Sequence, residues 1–367
     1  MSSANQIDLL GKLGTSTWLD DLSRDRISSG NLAEVIEQKS VVGVTTNPAI
    51  FASAMTTGTA YAGQLKDLKA AGATADEAVY AMAIDDVRAA CDVFAPIFER
   101  TGGEDGRVSI EVDPRISDDA EATVAQAREL WEKVNRPNVM IKIPATEGSL
   151  PAIPRVLAEG ISVNVTLIFS VARYREVMKA YAEGIRQAAA AGHDVSTIFS
   201  VASLFVSRVD TEVDRRLEEI GTPNALALRG RAGIANARLA YAEFQRAFAP
   251  GPDHLDVPDT AHPQRPLWAS TGVKNKDYSP TMYVAGLAGP DTVNTMPEAT
   301  LDAVLASTDI QGNTLAGTEE TARDTFRALE EIGIDLDDVF DVLEREGVEK
   351  FVDSWNDLLK AIQPQLA

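Results

Sequence analysis

Short apolar runs rich in β-branched residues recur along the chain, and each leads into a stretch whose apolar positions repeat at helical spacing. Eight such runs predict strands: Thr17–Asp20, Val41–Thr45, Val108–Val112, Val139–Ile143, Ser162–Ile168, Thr197–Phe205, Leu267–Ser270 and Thr292–Met296. Helical patterns intervene at Asn31–Gln38, Thr74–Glu99, Ser117–Glu132, Ala152–Glu159, Val171–Ala190, Val206–Ile220, Ala225–Ala247, Ser279–Leu287, Leu301–Ala306 and Glu319–Glu330. Strict alternation of strand and helix predicts an α/β protein with a parallel sheet, and eight repeats predict a closed (β/α)8 TIM barrel. The barrel core is expected over about residues 15–310, with a helical C-terminal extension over about 319–367 that includes a pattern at Asp335–Leu366. Pro250–Pro266 reads as the clearest loop. No internal repeat or linker divides the sequence, so residues 1–367 are expected to form a single domain.

Successive residues of a strand point to opposite faces. The outer face of a barrel strand packs on helices, while inward residues near its C-terminal end can carry chemistry. Val139, Ile141 and Ile143 share the outward parity, which leaves Met140 and Lys142 inward. Ile110 and Val112 face out and Glu111 in; Val163, Val165 and Leu167 face out, and Asn164 and Thr166 in. Asp20 is inward beside outward Leu19, and Asn47 follows Thr45 rather than Val44. Ser203 lies opposite Ala202 and Leu204, and Ser270 opposite Leu267 and Ala269. Polar residues of seven strands thus converge on one interior.

Lys142 is the most informative of them. It sits in Val-Met-Ile-Lys-Ile-Pro, a short apolar run in which an unpaired ammonium is strongly disfavoured. Losing its proton makes the amine a nucleophile for carbonyl carbon, so Lys142 is the first candidate for a Schiff base. The plainer alternatives are a lysine that reaches out to water and a structural ion pair with Glu111 or Asp20. An amine that adds to a ketone gives a carbinolamine, and loss of water gives an iminium ion that draws electrons from an adjacent breaking C–C bond. Such a path needs carboxylates to shuttle protons, here Asp20 and Glu111. Asparagine, serine and threonine can orient a polyol without adding charge.

The remaining composition narrows the field. A formal net charge of −21 argues against nucleic acid and anionic membranes as partners, and requires any anionic substrate to meet local cations. Arg208 and Lys274, at predicted strand ends, could supply them; the plainer reading of Arg208 is an ion pair with Asp210. The single cysteine, Cys91, lies in a helical pattern and reads as a small core residue. His193, His254 and His262 form no cluster with metal-ligand spacing, and no glycine-rich phosphate loop occurs, so neither a metal nor a cofactor is expected. The opening Met-Ser-Ser-Ala-Asn-Gln-Ile-Asp lacks a basic, apolar leader, and no apolar run is long enough to span a bilayer, which points to the cytoplasm.

These residues carry a family resemblance. Gly43-Val-Thr-Thr-Asn47-Pro48, Ser109-Ile-Glu111-Val-Asp113-Pro-Arg, Val139-Met-Ile-Lys142-Ile-Pro-Ala-Thr and Asn164-Val-Thr166-Leu-Ile-Phe-Ser resemble, in order, the motifs of the transaldolases. So do Ser203-Leu-Phe-Val-Ser-Arg208-Val-Asp210 and Trp268-Ala-Ser270-Thr-Gly-Val-Lys274-Asn. The Trp-Leu-Asp-Asp start and the segment Val293-Asn-Thr-Met-Pro-Glu are similar to the bacterial branch. The resemblance implies a (β/α)8 barrel with the imine-forming lysine, Lys142, on its fourth strand. It implies that Glu111 works as acid and base through a water that Thr166 helps to hold, and that Asp20 takes the proton from the hydroxyl beside the scissile bond. Asn47, Asn164 and Ser203 would hold a dihydroxyacetone unit, and Arg208, Ser270 and Lys274 the substrate phosphate.

The activity so implied moves a three-carbon dihydroxyacetone unit from sedoheptulose 7-phosphate to glyceraldehyde 3-phosphate, giving erythrose 4-phosphate and fructose 6-phosphate. Two alternatives remain open on the sequence. One is an aldolase of the same fold that releases free dihydroxyacetone; the other is an inert barrel that binds sugar phosphate.

Overall fold

The computed structural model describes residues 5–367, so the first four residues of the polar opening on which the leader argument rests lie outside the described residues. Eight parallel strands close into a barrel in sequence order: β1 Thr15–Leu19, β2 Gly43–Val44, β3 Arg107–Glu111, β4 Val139–Pro144, β5 Val163–Ile168, β6 Ser200–Phe205, β7 Arg265–Ala269 and β8 Thr292–Met296. The closing seam pairs Thr15 with Thr292 through to Leu19 with Met296. The expected (β/α)8 TIM barrel is the observed one, and a 31-residue helix, Leu336–Leu366, ends the chain.

Alternation along the strands sorts the apolar residues into two bodies. Leu19, Val44, Val108, Ile110, Val139, Ile141, Ile143, Ala202 and Leu204 pack outward with the helices. Trp18, Met140, Val201, Leu267 and Val293 fill the interior. Trp18 fits there because β2 offers Gly43, where a Cβ would stand 2.7 Å from the indole. The N-terminal end of the barrel is plugged by polar groups. Asp105 accepts hydrogen bonds from Trp18 Nε1 at 3.0 Å and from Arg265 at 3.2 Å. The fully buried Arg107 guanidinium lies against Phe98 and Phe199 at 4.9 and 4.3 Å from the ring centres. At the opposite end, the strand C-termini, a barrel of this kind carries its chemistry.

Several boundaries differ from expectation, each for a local reason. Pro250–Pro266 is not all loop, because β7 begins at Arg265 and takes in Pro266 near its start, where the missing N–H is tolerated. Val195–Thr197 is a 3-10 turn ahead of β6 rather than its beginning. The pattern over Ala225–Ala247 breaks into Pro223–Leu226 and Ala232–Phe248 around Gly230, whose φ is 69°. Four helices escape the sequence pattern: Gln6–Lys12, Arg24–Ser28, Pro48–Thr56 and Ala62–Ala70. The third was signalled by Asn47-Pro48, an N-cap followed by proline at the first helical position.

Two parity assignments are overturned. Leu167 has φ 58° at a register shift between Val165 and Ile168, so it turns into the inner cluster and Ile168 takes the outer place. In β7 the faces are reversed. Leu267 and Ala269 point inward, and Trp268 points outward, donating from Nε1 to Leu287 O at 3.1 Å.

Candidate active site

A cavity of about 210 Å³ opens at the C-terminal ends of the strands. Eight of the ten residues singled out from the sequence line it: Asp20, Asn47, Lys142, Thr166, Ser203, Arg208, Ser270 and Lys274. Glu111 and Asn164 do not reach its surface and stand behind it.

At the floor, β4 directs Lys142 inward, with 5% of the residue exposed. Its Nζ donates to Thr46 O at 3.0 Å and stands 3.3 Å from Glu111 Oε2. The lysine is therefore not the lone buried cation that the apolar run suggested; β3 supplies its carboxylate, in register, from Glu111. Burial raises the Glu111 carboxyl to about 7 despite the attraction of Lys142. Moving a proton from the ammonium to this carboxylate leaves amine and acid with no net change in charge, which is how a buried pair supplies a nucleophile. Glu111 Oε2 and Thr166 Oγ1 are buried polar atoms with no hydrogen-bond partner among the described residues.

Asp20 follows the end of β1 and its N–H donates to Met296 O at 2.8 Å across the barrel seam. Its Oδ1 accepts from Thr45 Oγ1 at 2.7 Å, and Thr45 Oγ1 is 2.6 Å from Thr295 Oγ1. Since the Thr45 proton is committed to Asp20, Thr295 is the donor to Thr45. Burial raises the Asp20 carboxyl above the ordinary value, against the pull of Lys142 and the Thr45 hydrogen bond. A carboxylate that is costly to ionise and already oriented is a competent proton acceptor.

The amides divide their work. Asn47 caps the Pro48–Thr56 helix by accepting from Ile50 N at 3.0 Å, which leaves its NH2 group to the cavity. Asn164 donates to Ser109 Oγ at 3.1 Å and accepts from Ser203 Oγ at 2.7 Å, so both ends of its amide are engaged. It holds Ser203, which lines the cavity in its place.

The far end of the cavity is cationic. Arg208 is the second residue of the Ser207–Ile220 helix, 5.0 Å from the centre of the Phe205 ring. The expected alternative, an ion pair with Asp210, is absent: Asp210 accepts from Gly233 N at 2.8 Å and Tyr283 OH at 2.9 Å instead. Arg208 Nη1 is left without a partner among the described residues, and burial lowers its proton affinity. Ser270 breaks the β7 alternation with φ 54° and sits 2.8 Å from Ser207 Oγ, which brings it into the cavity mouth in spite of the reversed faces. Lys274 is exposed beside it.

Sequence reasoning missed the third wall. The Leu336–Leu366 helix lays Lys350, Phe351 and Ser354 against the cavity, with the Phe351 ring centre 5.7 Å from Lys142 Nζ. Gly347, one turn earlier, permits the approach: a Cβ there would meet Phe169 at 3.1 Å and Leu167 at 3.3 Å. An amphipathic helix pattern shows which face is apolar but not what that face covers.

A parallel barrel that presents a buried lysine, paired with one carboxylate and sharing its cavity with another, defines a class of enzyme that acts on carbonyl compounds through an amine. Comparison with known proteins narrows the class. The family model described as transaldolase/fructose-6-phosphate aldolase matches residues 17–362, and the chain belongs to this family. A transaldolase of Mycolicibacterium smegmatis is 58% identical over 366 residues, covering 100% of this chain and 99% of its own. Transaldolases of Mycolicibacterium paratuberculosis and Mycobacterium leprae are 60% and 59% identical over 358 residues, covering 97% of this chain and 96% of theirs. Among the described residues, no helix is long and apolar enough to cross a membrane, and no group of three or more His, Cys, Asp or Glu side chains could hold a metal ion.

Proposed function

We propose that this protein is a transaldolase that carries a dihydroxyacetone unit on Lys142 between sugar phosphates. The observation that carries the reading is the Lys142–Glu111 pair at 3.3 Å, buried at the floor of a cavity whose far end is cationic. The amine of Lys142 adds to C2 of fructose 6-phosphate or sedoheptulose 7-phosphate. Glu111, through a water held with Thr166, gives the proton that lets the carbinolamine oxygen leave as water. Asp20 then takes the proton of the C4 hydroxyl, the C3–C4 electron pair moves toward the iminium nitrogen, and an aldose phosphate departs. The enamine left on Lys142 attacks the aldehyde carbon of the acceptor, Asp20 returns its proton to the new alkoxide, and water releases the product ketose.

In this reading Asn47 and Ser203 hold the three-carbon unit, with Asn164 fixing Ser203 from behind. Arg208, Ser270 and Lys274 hold the phosphate; an arginine without a resident carboxylate suits an incoming anion. Sugar phosphates are then the small-molecule partners, and the acidic chain works as one catalytic domain in the cytoplasm, where such substrates occur.

The test is chemical. Borohydride added to the enzyme with fructose 6-phosphate should leave a reduced three-carbon adduct on Lys142, located by mass spectrometry. An adduct on a different lysine, or none on a folded protein, sinks the mechanism. Fructose 6-phosphate alone should turn over slowly and much faster with erythrose 4-phosphate. Equal release of dihydroxyacetone with and without acceptor would make the protein an aldolase instead.

A further inference from the structure

We propose that Lys350, on the last helix, is a phosphate-binding residue of this site, and that it passes from Glu346 to the substrate's phosphate when substrate binds. This inference rests on the proposed function and deepens it. Lys350 lines the same cavity as Arg208 and Lys274, yet comes from an element outside the barrel.

The neighbouring Phe351 fixes which way that helix is turned. It is almost fully buried, packs edge-on to Phe205 with ring centres 6.5 Å apart, and lies 6.0 Å from the Arg208 guanidinium. With Phe351 seated between the amine and the arginine, Lys350 is held at the rim of the anion end. Its Nζ now rests on Glu346 Oε2 at 2.7 Å, one helical turn back, with 58% of the lysine side chain exposed. An exposed pair at this spacing is weak, so exchanging it is easy. The Glu346 charge also reaches Arg208, where it is the one carboxylate opposing the effect of burial. Glu346 is thus a tethered anion beside the cavity, paired with Lys350 where a substrate phosphate would compete for it. Substrate phosphate, with more charge and three acceptor oxygens, displaces it. A lysine suits the role better than an arginine here, because its long stem lets one ammonium follow the phosphates of both six-carbon and seven-carbon ketoses.

The experiment uses the full-length protein with Lys350→Met, Glu346→Gln and the double variant. Binding of inorganic phosphate is measured by calorimetry, and turnover on fructose 6-phosphate and on fructose with erythrose 4-phosphate as acceptor. Lys350→Met should weaken phosphate binding and raise KM for fructose 6-phosphate about fivefold, with kcat and the reaction of fructose changed by less than about twofold. Glu346→Gln should tighten phosphate binding about threefold, and in the double variant this gain should shrink to the smaller part that acts through Arg208. Unchanged phosphate binding in Lys350→Met, equal losses on both ketoses, or a Glu346→Gln gain as large in the double variant as in the single one each overturn the proposal. Calorimetry needs no turnover, so it decides the role of Lys350 separately from the borohydride test of Lys142.

Discussion

Replacing Glu111 by glutamine probes the electrostatics of the buried pair while keeping its shape. Only 6% of Glu111 is exposed, and burial lifts its carboxyl from an ordinary 4.5 to about 7 although Lys142 stands 3.3 Å away. Between these values the folded protein holds a proton that the unfolded chain releases. The stability due to this group is therefore present below pH 4.5 and is lost as pH rises through about 7. At about 1.4 kcal/mol per tenfold change in proton affinity, the whole loss is about 3 kcal/mol. Near its isoelectric point, about 4.6, the protein is prone to precipitate, so the practical lower limit is about pH 5.5. From there to about pH 8 roughly 2 kcal/mol remains to be measured.

Glutamine does not titrate, so the unfolding free energy of Glu111→Gln minus that of the native protein should climb by about 2 kcal/mol over this range. Urea denaturation of both proteins at the two pH values gives that difference, because the ionisable groups away from this site are common to both. A flat difference, or one that shrinks as pH rises, would refute the claim that desolvation outweighs the attraction of the lysine. The same variant has a chemical readout. Trapping at Lys142 should show an inflection near pH 7 in the native protein and none in Glu111→Gln, while transfer falls and residual activity shifts toward release of dihydroxyacetone.

Two further predictions address the opposite end of the site. Arg208→Ala should raise KM for fructose 6-phosphate by about tenfold or more with a smaller fall in kcat, as expected for a contact shared by ground and transition states; equal losses on unphosphorylated fructose would remove Arg208 from the phosphate site. Gly347→Val should lower unfolding free energy by about 1–3 kcal/mol through overpacking against Phe169 and Leu167, and should lower kcat/KM by lifting Phe351; a variant as stable and as active as the native protein would show that the helix does not depend on this close approach.

Much of the barrel was legible because a strand buried on both faces leaves a plain signature. The run around Lys142 gave β4 nearly to the residue, and Thr292–Met296 matched in full. Alternation placed Glu111, Lys142 and Thr166 correctly because β3, β4 and the first part of β5 are regular. It failed where the backbone leaves the regular region. Leu167 and Ser270, both with positive φ, carry side chains whose direction follows from a local turn that no hydrophobic pattern records. In β7 the large Trp268 and the smaller Leu267 are both apolar, so pattern alone could not say which faces the helices. Lys350 and Phe351 stayed hidden for another reason: Glu346 and Lys350 read as an ordinary surface pair, and Phe351 as one member of an apolar stripe.

Asp20 stands on the seam that joins the first strand to the last. Its N–H is held by Met296, and the chain from Thr295 through Thr45 orients its carboxylate. The strands that meet there are 277 residues apart along the chain. Closing so long a loop is entropically unfavourable until the intervening strands already stand side by side. Lys142 and Glu111, by contrast, belong to adjacent strands and can meet early. In the proposed mechanism, a barrel still lacking its seam would therefore own a nucleophile before it owned a base: able to capture a ketone as an imine, and unable to cut it. On that mechanism, ring closure would be the event that joins chemical capture to turnover.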